Sequence, residues 1–384
     1  MTSVSTPPAV QVASSGIRAP SLAARDLASQ LLHEHLGHVL FFCSAEYDLA
    51  QLGLALEREF AGVGLSGCTS AGEITAQGYD RGSITAIGFD RRYFALESAL
   101  IGEMDRFTLR DAQSVIDDLL SGCRDRKLAP IKGNTFALTL LDGLSSREEL
   151  VLAALNSVLG SIPQFGGSAG DDEHLADTYV FHQGRFHAGA ATVLLINTPL
   201  DFRVFTTHHL VEGSEKLVVT HASSDTRTVY ELNAEPAAEA YARAVGVTVD
   251  ALSREVFALQ PLGVKIGSNY FVRSIQRVNP DKSLTFYCAV ETGIVMTAMA
   301  QGSLLGAVRD QLEDSERVVG KPLVTIGCDC FLRRLESELT GQSEAVSGFL
   351  SRHKVVGFNT YGEQYNGMHI NQTFTGVVIG QPDR

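Results

Sequence analysis

The chain has 384 residues, 45% apolar and 20% charged, enough to bury more than one core and too apolar for intrinsic disorder. Lys and Arg total 31 against 44 Asp and Glu, a formal charge of −13. That acidity, without a long basic run, argues against sequence-independent binding to nucleic acid or to an anionic membrane surface, so neither is expected as a partner.

Six cysteines are too few for a disulfide scaffold of this size. No window approaches the ~18 apolar residues of a membrane span, and the Ser-, Pro- and Ala-rich start lacks the pattern of a signal peptide. The expectation is a cytoplasmic protein with reduced thiols and a flexible tail over residues 1–20.

Along the chain, Ser21 is placed to cap a helix running to about residue 36. A buried-type strand at 39–43, a helix at 49–60 and a strand at 63–67 lead into Gly67-Cys-Thr-Ser-Ala-Gly-Glu73. Strands at 83–89 and 94–102 follow. The order then repeats: strand 135–141, helix 145–160, strand 162–165, Gly166-Gly-Ser-Ala-Gly-Asp171 and extended segments at 178–185 and 189–197. It returns a third time with strand 323–327, helix 331–339, strand 354–356, Gly357-Phe-Asn-Thr-Tyr-Gly-Glu363 and a last strand at 373–379. Between the second and third copies, 202–212, 216–221, 262–275 and 283–290 read as antiparallel strands, with a helix at 236–245. The fold class expected is α/β, becoming α+β in the C-terminal half. Two related domains, 21–220 and 221–384, would carry the repeated strand–helix–strand–Gly-loop units in mixed sheets.

The glycine loops exclude a P-loop: none has the lysine, each ends in a carboxylate, and each precedes a strand. Glu73, Asp171 and Glu363, with Asn371 nearby in sequence, either line a ligand crevice or serve the turns by accepting backbone hydrogen bonds. The second use is the expected one for any single loop. Cys328 and Cys330 form a C-x-C pair before a helix with Arg333 and Arg334 nearby, a setting for a reactive thiol or for an inward-packed Cys328 beside a helix cap. His208 and His209 are neighbours on an expected strand and so face opposite ways, which should bury one of them. His369 follows the third loop. His182 and His187 flank a Gly184 turn and are expected at the surface. No nucleophile elbow, zincin or kinase signature is present, so the chain is not expected to be an enzyme.

The three loops, with Thr178-Tyr-Val-Phe181 after the second, resemble the FIST family, with its paired N-terminal and C-terminal FIST domains. The resemblance implies a sensory, small-ligand-binding protein without catalysis. Gly327-Cys-Asp-Cys330 with Arg333-Arg-Leu-Glu336, and Met368-His-Ile-Asn-Gln-Thr373, further resemble the bacterial nitric-oxide-sensing FIST haemoproteins. That resemblance implies haem b, nitric oxide as signal and a histidine kinase as partner, and leaves a homo-oligomer open. It supplies no axial ligand; local sequence ranks His209 first, then His208 and His369. Phe205, Phe271, Phe286 and Met296 would face the porphyrin, and Arg273 or Arg277 would pair with its propionates. Two alternatives stand beside it: a FIST module binding an amino acid through the loop carboxylates, and a thiol switch or enzyme at Cys328 and Cys330.

Overall fold

A computed structural model describes residues 8–267 and 269–381. Three repeats form its centre. The first runs through strand Leu36–Ser44, helix Leu49–Glu59, strand Gly64–Ser70, the short hairpin Glu73–Thr75 and Gly78–Asp80, and strand Ile84–Asp90. The second has Thr135–Leu141, Glu148–Leu159, Gln164–Ser168, the hairpin Val180–His182 and Arg185–His187, and Ala191–Asn197. The third has Pro322–Cys330, helices Phe331–Leu339 and Ser343–Arg352, Val355–Thr360, the hairpin Glu363–Tyr365 and Met368–Ile370, and Phe374–Gly380. In each, the strands flanking the helix pair in parallel and the last strand returns antiparallel to the first.

The hairpins do not stay at home. That of the first repeat pairs with Val355–Thr360 of the third, that of the second with Gly64–Ser70 of the first, and that of the third with Gln164–Ser168 of the second. This cyclic exchange ties the three mixed sheets into one body. Inward side chains from all three, including Leu40, Phe42, Leu138, Phe165, Cys328 and Phe358, make one central cluster in which Phe42 stacks on Phe358 at 4.3 Å. Outward side chains of the same strands, such as Val39 and Phe41, meet Leu27, Leu52 and Leu56 of the covering helices. Burial on both faces explains why these strands read as unbroken apolar runs.

The mixed α/β class is as expected; the division at 220 does not follow the sheets. An antiparallel eight-stranded sheet is inserted between strand Phe202–Thr207 and helix Leu304–Val319, both of which pack in the sheet layer of the third repeat. The expected tail is also partly ordered: Val10–Ser15 pairs antiparallel with Ile84–Asp90, turning Val10 and Ala13 inward, while residues 1–7 lie outside the described residues. Helix Pro20–Leu31 starts from Ala19 with no side-chain cap, so Ser21 sits inside it. The strand expected at 202–212 breaks after Thr207, which takes His208 and His209 off a strand and makes the alternation argument inapplicable there.

Candidate functional site

The glycine loops meet at the ends of the parallel strands and close on each other. Ala71 donates to the Asn359 carbonyl at 2.9 Å, Gly170 to that of Thr69 at 3.1 Å, and Tyr361 to that of Ser168 at 3.2 Å, so each loop bonds the next around the ring. Glycine is required by proximity: a Cβ on Gly170 would lie 2.6 Å from the Ala71 nitrogen. The acids serve the turns. Glu73 accepts from Ser83 N and Oγ, both at 3.0 Å, and from the Ser70 hydroxyl. Glu363 repeats the pattern with Thr373 N at 3.0 Å, Thr373 Oγ1 at 2.9 Å and the Thr360 hydroxyl. Asp171 accepts from the amides of Leu175, Ala176 and Asp177 at 2.6–2.9 Å and from the Tyr361 hydroxyl. Burial pushes Glu73 and Glu363 up to about 7 against those hydrogen bonds. Glu73, Asp171 and Glu363 are thus engaged in bonds within and between the loops and their turns. Asn371 is likewise internal, its Oδ1 accepting from Ser274 N at 3.2 Å.

The first-ranked histidine is not free to bind iron. Arg333 Nη1 lies 2.9 Å from His209 Nδ1; arginine only donates, so Nδ1 holds the lone pair and Nε2 carries the proton. Nε2 then donates to Glu336 at 2.8 Å and Gln301 at 3.0 Å, and the side chain is 0% exposed. His369 is engaged on one side: Nδ1 lies 3.2 Å from Glu149, while Nε2, 3.7 Å from Glu148, is buried without a hydrogen-bond partner. Burial lowers its pKa, yet the two carboxylates outweigh this and raise it. His208 differs. Burial, then His209 and Arg333, lower its pKa; its Nδ1 is buried without a hydrogen-bond partner, and it lines a cavity of about 360 Å³ with Phe271.

The other proposed haem contacts disperse. Phe205, Phe286 and Met296 are core residues, the first in a different cluster from the other two. Arg273 and Arg277 sit on one expected strand, but the chain breaks at Ser274 and the segments Asn269–Arg273 and Ile275–Val278 form opposite ends of the eight-stranded sheet. The thiols are also inert by position: Cys328 and Cys330 are buried, and desolvation drives both pKa values well above the ordinary thiol range. Native protein should leave both unmodified by a thiol-disulfide colour reagent until denaturant is added; a fast-reacting fraction removed by Cys330→Ser would contradict this.

A groove of about 640 Å³ opens instead at the other end of the first repeat's strands, between them and the segment around Phe94–Arg126. His38 and His182 line it, on strands either side of Gly64–Ser70. The His38 ring lies across Gly64, where any Cβ would collide with it, and its Nε2 reaches Ser66 Oγ at 3.2 Å. Burial, aided by His182, lowers His38 to about 4; burial and His187 lower His182. Both rings are thus neutral at pH 7, and His182 Nδ1 is buried with no hydrogen-bond partner. Leu36, Val63, Leu65, Phe94, Leu96 and Leu128 form apolar wall, and Arg91 and Arg126 stand at its margin, Arg126 paired with Glu97 at 3.3 Å. Sequence reasoning missed this site because His182 sits in a hairpin whose place in the fold depends on the exchange.

Comparison with known proteins gives two family matches. The FIST N domain matches residues 37–235 and the FIST C domain residues 237–366, which sets their junction later than the expected 220. A solved structure of cyanuric acid hydrolase from A. caulinodans aligns at 12% identity and a TM-score of 0.27, covering 50% of this chain and 72% of its own. No curated protein sequence matches. Among the described residues no helix is long and apolar enough to cross a membrane.

Proposed function

Because the chain belongs to the FIST family, whose domains are sensory ligand-binding modules of signal transduction, we propose that it is a cytoplasmic, non-catalytic sensor holding haem b in the His38–His182 groove and reporting nitric oxide to a partner histidine kinase. The observation that carries this reading is His182, a residue that lines the 640 Å³ groove, whose pKa burial lowers and whose Nδ1 is buried without a hydrogen-bond partner. Iron in a porphyrin binds such a nitrogen and supplies the centre that takes nitric oxide. The chain's own part is to present it. His182 would be the iron ligand, and the leucine-rich wall would exclude water from the ring. Arg91 and Arg126 would meet the propionates by charge-assisted hydrogen bonds. His38, fixed by Ser66, would fill the remaining polar corner. His182 ends the strand Val180–His182, which pairs with Gly64–Ser70, so a change at this nitrogen would reach the sheet of the first repeat.

Titration of the purified protein with hemin, followed by reduction and nitric oxide, tests the reading by absorbance. A saturable Soret band that shifts with nitric oxide is expected. His182→Ala should weaken hemin binding more than ~100-fold, since even outer-shell changes at metal sites cost 10–100-fold. His209→Ala should keep the band. If the band vanishes with His208→Ala and survives His182→Ala, the smaller cavity is the seat and the groove assignment is wrong.

A further inference from the structure

A second cavity, about 360 Å³, lies where Thr206 and Thr207, Tyr270 and Phe271, and Met368 and Ile370 meet. Three sheets end there. Phe202–Thr207 is terminal in the sheet of the third repeat, Met368–Ile370 in that of the second, and Asn269–Arg273 in the eight-stranded sheet. A single bridge, Val272 to Asn371, joins the last two edges. A terminal strand presents backbone N–H and C=O groups along one side, and proteins ordinarily cover, charge or twist such edges. Here the walls are aromatic and aliphatic, Met368 is 36% exposed, and Thr206 Oγ1 and His208 Nδ1 are buried without hydrogen-bond partners. Lys216 and Lys265 stand 5.9 and 5.2 Å from the Tyr270 ring centroid and share one carboxylate, Glu212, at 2.8 and 3.6 Å. Two cations to one anion make this margin positive on a chain of charge −13.

We propose that this cleft binds an extended segment of a partner protein by strand addition, with alternate apolar side chains entering the cavity and an acidic residue meeting Lys265. Backbone pairing supplies affinity in this mode, and pockets for every second side chain supply selectivity. The period of two lets one strand answer both features, apolar residues inward and acids toward the lysines. The inference is independent of haem. Its consequence for the core follows from the same alternation: Met368 and Ile370 line the cleft, while His369 between them contacts Glu148 and Glu149. A strand added at this edge therefore bears on the ion network that joins the repeats.

Selecting binders to the full chain from a displayed random peptide library tests the proposal. Enriched peptides should alternate apolar and acidic residues, and one proline at their centre should abolish binding by removing a backbone donor. Lys265→Glu and Met368→Glu, both at exposed positions, should each lower affinity by about tenfold or more while the melting curve stays unchanged. Absence of enrichment, binders without the alternation, or binding that survives the proline and both substitutions would overturn it. Sedimentation of the same samples covers the other occupant: a dimer dissociated by Lys265→Glu would make a second copy the partner and end the proposal.

Discussion

Replacing Arg227 with methionine is expected to destabilise the protein by about 3–5 kcal/mol, the cost of breaking a buried pair from one side. Its guanidinium, 7% exposed, lies 2.9 Å from Glu148 and 2.7 Å from Glu149, and donates to the Tyr287 carbonyl at 2.7 Å. Glu148 is wholly buried and, among the described residues, shares only the Ser168 hydroxyl and the more distant His369 besides. Methionine fills much of the same volume, so the loss isolates charge from packing. The cluster also joins parts distant in sequence: Arg227 directly precedes strand Thr228–Leu232 of the inserted sheet, the glutamates belong to the second repeat's helix, and His369 to the third repeat's hairpin. Arg18→Met is the control, because the Arg18–Glu46 pair is 81% and 47% exposed and such pairs contribute ~0–1 kcal/mol. Urea midpoints should separate the two variants widely. Equal midpoints would mean that the buried cluster holds nothing together.

The second large effect is a pH dependence carried by Glu73 and Glu363. Both titrate near 7 in the fold against an ordinary 4.5, through burial. Between those values the folded chain keeps protons that the unfolded chain has released, so their contribution to stability falls as pH rises. The fall amounts to about 3 kcal/mol for each acid by pH 8. His38 works in the opposite sense: lowered to about 4, it resists protonation in the fold, and its contribution grows as pH rises from 4 to 6.5. Comparison with glutamine variants removes that opposing part. Glu73→Gln and Glu363→Gln can keep the hydrogen bonds to Ser83 and Thr373 while losing the titration. Each variant should match the parent at pH 4.5 and exceed its stability increasingly toward pH 8. A difference that stays constant across this range would show that neither acid is protonated in the fold.

Much of this architecture was readable from sequence because the repeats use unmistakable local physics. The apolar runs at Val39 and Thr135 are strands buried on both faces, and the helix at Phe331–Leu339 lies where its pattern places it. The loop acids also behave as their turns required. Two long helices were overlooked although each carries a start signal: Thr108 and Asp111 form a capping box for Leu109–Arg126, and Ser303 caps Leu304–Val319. The hairpin exchange was invisible, since local pattern identifies a hairpin and says nothing of which sheet receives it. That gap explains the histidines. His209 satisfied the expectation of burial, but its partners Arg333 and Glu336 come from a helix more than a hundred residues away. His182, read as an exposed turn residue, acquires its groove only when its hairpin joins the first repeat.

The most direct test of the sensor reading is to titrate the His182→Gly protein with hemin, with and without added imidazole, and record the absorbance spectrum. The account predicts a weak, poorly defined band without imidazole and, with it, a Soret band like that of the parent, because the small base re-occupies the position of the missing ring. A parent-like band without imidazole, or a parent protein that takes up no hemin at all, would contradict it.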